Sequence, residues 1–176
     1  MGSSNRHHAD YSNFSASDRS EALIYMVESY QALAEHQDNM VCNLANASSL
    51  LWYVYRNLNV KVNWAGFYIT EKDDPNMLLL GPFQGKVACQ RIQFGRGVCG
   101  TAALTQEAQV VPDVSVFPDH IACDGDTKSE IVVPILQNNK TVAIMDLDCS
   151  EHDGFSDLDK KYLEKLALEI SRTCKF

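Results

Sequence analysis

The sequence predicts an α+β fold: a mainly antiparallel sheet with helices packed on one face. Two observations carry that prediction. Apolar residues recur at helical spacing near the N-terminus and again at the C-terminus. Between them, roughly from Val60 to Cys149, short runs alternate between apolar and polar positions and are separated by turn residues. Five or six strands in the middle with helices at both ends are the order of an α+β domain.

Ser17 is a plausible N-cap, and Leu23, Met26, Val27, Tyr30 and Leu33 then recur on one helical face to about Gln37. Asp38 can cap a second helix, carried by Leu44, Ala47, Leu51, Val54 and Leu58 and ending near Asn59. From Val60 to Thr70 the period becomes two. Trp64 and Tyr68 then share one face, while Ala65, Phe67 and Ile69 take the other. Turn residues 71–76 lead to a short strand, Met77 to Gly81, and then to a third, Val87 to Ile92, carrying Cys89. A glycine-rich turn at Gly95-Arg-Gly opens a short helix to about Thr105, and Val110 and Val111 form a brief strand. Asp113 to Ser129 reads as a long polar loop, a length that is usually functional or disordered. Glu130–Leu136 and Thr141–Cys149 form a hairpin, and a final helix starts at Ser156 with Asp159 completing a capping box. Residues 1–16 read as a flexible N-terminal segment and 17–176 as one domain.

At 176 residues the chain is long enough for a real core. Its formal charge of −8 argues against nucleic acid or an anionic membrane as the main partner. No run of 18 apolar residues spans a membrane, and no signal-peptide core precedes the first helix. Six cysteines without an export signal point to a reducing compartment, the cytoplasm with the nucleus as a second, and to free or catalytic thiols.

In the last strand Val142, Ile144, Asp146 and Asp148 share a face, and Ala143, Met145, Leu147 and Cys149 take the other. Both faces are apolar early in the strand, so two aspartates project together into a partly buried space, where joint ionisation is disfavoured. Glu130, at the start of the neighbouring strand, can join them. The competing view leaves both aspartates in water at a strand end. A metal held by these acids is another view, but their spacing matches no EF-hand loop. Among the cysteines, Cys42, Cys174 and Cys149 read as buried small hydrophobes. Cys99, at a helix start, sits where free N–H groups favour a thiolate. Cys123 lies in a polar loop beside Asp124, where packing gives no reason for a cysteine. His120 with Cys123 is a weak zinc signal.

The chain carries Asn63-Trp-Ala-Gly-Phe-Tyr, Gly81-Pro-Phe-Gln-Gly-Lys-Val-Ala-Cys, Phe94-Gly-Arg-Gly-Val-Cys-Gly-Thr-Ala, His120-Ile-Ala-Cys-Asp, Ser129-Glu-Ile-Val-Val-Pro-Ile and Asp146-Leu-Asp-Cys. These stretches closely resemble the GAF-domain free methionine-(R)-sulfoxide reductases, and the fungal members most. The match runs from the first helix to the last and departs at no motif position. It implies a six-stranded antiparallel sheet with helices on one face and a ligand pocket on the other. It also implies reduction of free L-methionine (R)-sulfoxide, with no bound cofactor or metal and with electrons from thioredoxin and ultimately NADPH. By the same resemblance Cys123 is placed as nucleophile and Cys89 as resolving thiol. Cys99 stays open as nucleophile or relay. Glu130, Asp146 and Asp148 carry over as the acids, to bind the substrate ammonium and protonate the sulfoxide oxygen, and Trp64 and Tyr68 as the wall around the S-methyl group. A homodimer through the early helix hairpin is expected. The rival class is a GAF small-molecule sensor without catalysis, for which no output segment follows the last helix; a cytosolic interaction or zinc protein is a third reading.

Overall fold

The computed structural model describes residues 7–15, 18–119 and 124–176. Six strands form one antiparallel sheet in the order β3-β2-β1-β6-β5-β4. They are β1 (Val62–Thr70), β2 (Met77–Gly85), β3 (Arg91–Gln93), β4 (Gln109–Val111), β5 (Ser129–Gln137) and β6 (Lys140–Cys149). Helices α1 (Arg19–Ala34), α2 (Met40–Asn57) and α4 (Asp157–Thr173) cover one face, and the short α3 (Gly97–Thr105) lies on the other.

Alternation along the central strands divides the interior into two apolar layers. Ala65, Phe67, Ala143, Met145, Leu147 and Cys149 point into the layer shared with α1, α2 and α4. Trp64, Tyr68, Val132 and Ile144 point into the smaller layer shared with α3. This is the face assignment that period two requires, and it puts Asp146 on the side of the smaller layer.

The helices end where local chemistry stops them. Asp18 caps α1 by accepting from the Glu21 N–H, and Asn39 caps α2 by accepting from the Cys42 N–H. The expected caps were their neighbours: Ser17 lies outside the described residues, and Asp38 instead pairs with Lys175. Asn59, at φ +58°, turns the chain out of α2 and into β1. The capping box at α4 is present: Ser156 and Asp159 bond reciprocally. Asp159 is fully buried and also accepts from Arg19 Nε (2.9 Å) and Tyr55 Oη (3.0 Å), which ties α4 to α1 and α2.

The β5–β6 hairpin turns through Asn138 and Asn139, both at positive φ, the two-residue I′ geometry that matches strand twist. β2 runs past the expected end at Gly81 to Gly85. Its pairing with β1 slips between Gly66 and Tyr68, and that irregularity accommodates Pro82, which has no N–H for the ladder. β3 is shorter than expected, covering only 91–93, so Cys89 sits in an irregular stretch, 86–90, before the strand. The expected flexible N-terminal segment needs a correction over residues 8–14. His8–Ser12 form a 3₁₀ turn against α1 and α2, and Phe14 is buried edge-on to Tyr25, so an apolar anchor holds this stretch down. Among the described residues no helix is long and apolar enough to cross a membrane.

Candidate active site

On the α3 side of the sheet lies a small, partly enclosed hollow. Its walls come from β1 (Trp64, Tyr68), the 86–92 stretch, the turn into α3 (Arg96 to Cys99), the loop residues Asp124 and Thr127, and the acids Glu130, Asp146 and Asp148. Sheet register explains why these residues meet. Asp148 on β6 lies opposite Trp64 on one side and Glu130 on the other, and Asp146 lies opposite Gly66 and Val132. In an antiparallel sheet such neighbours present side chains about 5 Å apart on the same face.

Trp64 is sandwiched between Tyr68 (ring centroids 5.8 Å apart) and Phe83 (5.2 Å). Gly66 makes that sandwich possible, because a Cβ there would stand 2.3 Å from the Phe83 Cβ and 2.7 Å from the Trp64 ring. Trp64 Nε1 is buried and has no partner among the described residues, so an acceptor on a bound molecule would satisfy it. The Tyr68 hydroxyl donates to the Cys89 carbonyl at 3.0 Å, anchoring the irregular stretch to the sheet.

Gly97, at φ +62°, lets the chain turn sharply into α3, which drops Cys99 onto the acids. The Cys99 thiol donates to Asp146 Oδ2 at 3.2 Å and Glu130 Oε1 at 3.6 Å. This reverses the helix-start expectation. Burial first, and then the Asp146 and Glu130 charges, push the Cys99 thiol well above its ordinary range. The half-charge of a helix terminus cannot outweigh full burial beside two acids.

The acids keep protons of their own. Burial, with the Asp146 and Asp148 charges behind it, drives Glu130 well above the usual carboxyl range. Burial also leads for Asp148, followed by Asp146 and Asp124. Asp146 is pushed up to about 7 by burial, held back by the hydrogen bonds it accepts from Cys99 and Glu130. At neutral pH the cluster is thus a store of protons in which Asp146 is the readiest to ionise. Asp146 is buried and Asp148 only partly exposed, so the alternative of two aspartates in open water is excluded. Cys99 Sγ, one Glu130 oxygen and one Asp146 oxygen lie within 4.8 Å of one another, close enough to hold a small cation as well as the thiol hydrogen that joins them here.

The sequence-predicted residues Trp64, Tyr68, Cys99, Glu130, Asp146 and Asp148 therefore line one hollow. Cys89 packs against the same apolar layer and is disulfide-bonded. Cys123 and His120 lie outside the described residues. Cys149 and Cys174 are buried free thiols as expected. Cys42 is a free thiol but exposed, because α2 turns Asn43 and Leu44 inward instead. Residues at the rim that sequence reasoning passed over are Lys86, Arg96, Asp124 and Thr127. Their only signal was closeness in sequence to Cys89, Cys99 and Cys123.

Comparison with known proteins places this geometry. The family model of the GAF domain matches residues 45–173. The free methionine-R-sulfoxide reductase of Saccharomyces cerevisiae is 57% identical over 179 residues, covering 100% of this chain and 99% of that protein. The chain belongs to the GAF-domain free methionine-R-sulfoxide reductases. A solved structure described as that of the GAF domain superposes with a TM-score of 0.96 at 56% identity, covering 99% of this chain and all of that one. The free methionine-R-sulfoxide reductase of Neisseria meningitidis, solved in complex with its substrate, superposes at 0.85 with 35% identity, covering 92% of this chain and 93% of that one. Both the fold and the family expected from the motifs are those found.

Proposed function

We propose that this protein reduces free L-methionine (R)-sulfoxide to L-methionine, with a cysteine thiolate as two-electron donor. The observation that carries this reading is the proton-holding cluster Glu130–Asp146–Asp148, set beside the Trp64–Tyr68 wall in one hollow. A sulfoxide oxygen is a poor leaving group, so its reduction needs an acid beside the oxygen as a thiolate attacks the sulfur. Carboxyls that stay protonated near neutral pH can supply that proton, and an ionised member can hold the substrate ammonium.

In this scheme the Cys123 thiolate bonds to the sulfoxide sulfur. As the cluster protonates the oxygen, the S–O bond breaks and water departs. A water molecule then attacks the Cys123 sulfur, the bond between that sulfur and the substrate sulfur breaks, and methionine leaves reduced, with Cys123 left as a sulfenic acid, oxidised by two electrons. The Cys89 thiol attacks the sulfenic sulfur, an S–S bond forms and water departs. Two electrons from the thioredoxin dithiol, drawn in turn from NADPH, restore both thiols. The presence of Cys89 in a disulfide supports its place in this cycle. The raised Cys99 thiol fits a hydrogen-bond donor better than an attacking thiolate. A reducing compartment such as the cytoplasm suits the cycle, and a homodimer through the α1–α2 hairpin remains part of the proposal.

The test is NADPH consumption with thioredoxin, thioredoxin reductase and free methionine (R)-sulfoxide. Wild-type protein should turn over, Cys123→Ser should not, and Cys89→Ser should release about one equivalent of methionine without cycling. Full cycling in Cys123→Ser rejects the nucleophile, and no turnover in wild type rejects the reaction.

A further inference from the structure

Three segments that are distant in sequence meet at the rim of the hollow. Lys86 stands three residues before Cys89, in the stretch without regular structure. Its Nζ lies 2.7 Å from Asp126 Oδ2 and 3.5 Å from Asp124 Oδ2. Asp124 directly follows Cys123 in the chain. Asn63, near the start of β1, donates through Nδ2 to Asp124 Oδ2 (3.3 Å) and to Thr127 Oγ1 (3.1 Å). The Asp126 N–H folds back onto Asp124 Oδ1 at 3.1 Å, so both carboxylates of this turn are held toward Lys86.

From these contacts we propose that Lys86, with Asn63, Asp124 and Asp126, positions the two cysteine-bearing segments for disulfide formation. They act on the resolving step and not on reduction of the sulfoxide. This rests on the reading above, in which Cys123 and Cys89 are the pair that closes. One lysine facing two carboxylates draws the Cys89 stretch to the turn after Cys123. Asn63 fixes that turn to β1, where the sheet is rigid. Closing a contact between two separate chain segments depends on their effective concentration, and such a bridge raises it without touching the reacting sulfurs. Lys86 is 65% exposed, so the bridge is screened by salt and opens readily.

The step itself balances: the sulfenic S–O bond breaks, the S–S bond forms, and the Cys89 thiol proton leaves with the hydroxyl as water. Lys86 supplies no atom to it and is a positioning residue.

The test follows one equivalent of free methionine (R)-sulfoxide added to fully reduced protein, measuring methionine release and loss of free thiols separately. In Lys86→Met thiol loss should slow about fivefold more than methionine release does in the same protein, the scale of a small exposed ion-pair cluster. Lys86→Arg should restore it, and 1 M KCl should slow thiol loss in wild type but not in Lys86→Met. Unchanged thiol loss, or equal slowing of both steps, overturns the proposal. A second measurement needs no substrate: equilibration with mixtures of reduced and oxidised dithiothreitol. Lys86→Met should hold about fivefold less disulfide at the same mixture, and identical curves overturn the positioning role. If wild type releases no methionine, the function above fails, while this titration still decides the role of Lys86.

Discussion

Replacing Asp146 with asparagine should inactivate the protein and yet stabilise it, increasingly so as pH rises. Asp146 has an ordinary value of 3.8 and is pushed up to about 7 in the fold. Between those values the folded chain keeps a proton that the unfolded chain has released, so each added pH unit removes about 1.4 kcal/mol of stability. The sign follows from a raised carboxyl: its cost is absent below pH 3.8, grows with pH, and is complete above pH 7. From pH 5.5 to 8 the wild type should therefore lose roughly 2 kcal/mol at this side chain alone. Asparagine cannot ionise, and its carbonyl can still accept from Cys99. Its amide would stand where Oδ1 has no partner among the described residues, which costs about 1–3 kcal/mol at every pH. That offset is constant and drops out of the comparison. Glu130 and Asp148, relieved of the Asp146 charge, would move in the same direction. The assay is urea unfolding followed by circular dichroism at pH 5.5, 6.5 and 8, with both proteins fully reduced. The advantage of Asp146→Asn over wild type should grow by about 2 kcal/mol across that range, equivalent to roughly 4–8 °C in melting temperature. An advantage that is flat or shrinking with pH would refute the proton store, whatever happens to activity.

Two further outcomes follow from the same structure. Iodoacetamide at pH 8 should label the exposed Cys42 well before Cys99, whose thiol is buried and raised; mass spectrometry finding Cys99 labelled first would contradict the geometry. Asp159→Ala should lower stability by about 3 kcal/mol, because it strands Arg19 and the Tyr55 hydroxyl at a buried junction; a loss below about 1 kcal/mol would show that water replaces the bond there.

The sheet and the acids were legible in the sequence because period two is a strict rule. Once Trp64, Tyr68, Asp146 and Asp148 fell on the same parity within their strands, a shared face followed, and only register remained to be supplied. The two long helices and α4 were legible for a similar reason, with errors of one residue at caps where two polar side chains compete. What could not be read depended on approach in space. The drop of Cys99 onto Glu130 and Asp146 depends on how α3 docks, so a local rule about helix starts gave the wrong sign for its thiol. The sandwiching of Trp64 by Phe83 needed the irregular pairing of β1 with β2. The 86–90 stretch has the composition of a strand, yet the Cys89 carbonyl is held by a tyrosine hydroxyl, and the backbone bond to β2 comes only at Gln90, which accepts from the Leu80 N–H. The Lys86 contacts join charges about forty residues apart, a distance that no periodic pattern encodes.

The Trp64 sandwich also gives the molecule an optical gauge of its own. Only two tryptophans are present, and the other, Trp52, lies on α2 with Arg56 over its ring, away from the hollow. With Trp52 exchanged for phenylalanine, a single indole would emit from beside the sulfurs and acids. Its brightness and colour would then follow the arrival of a guest and the oxidation of nearby sulfur in real time, with no dye attached.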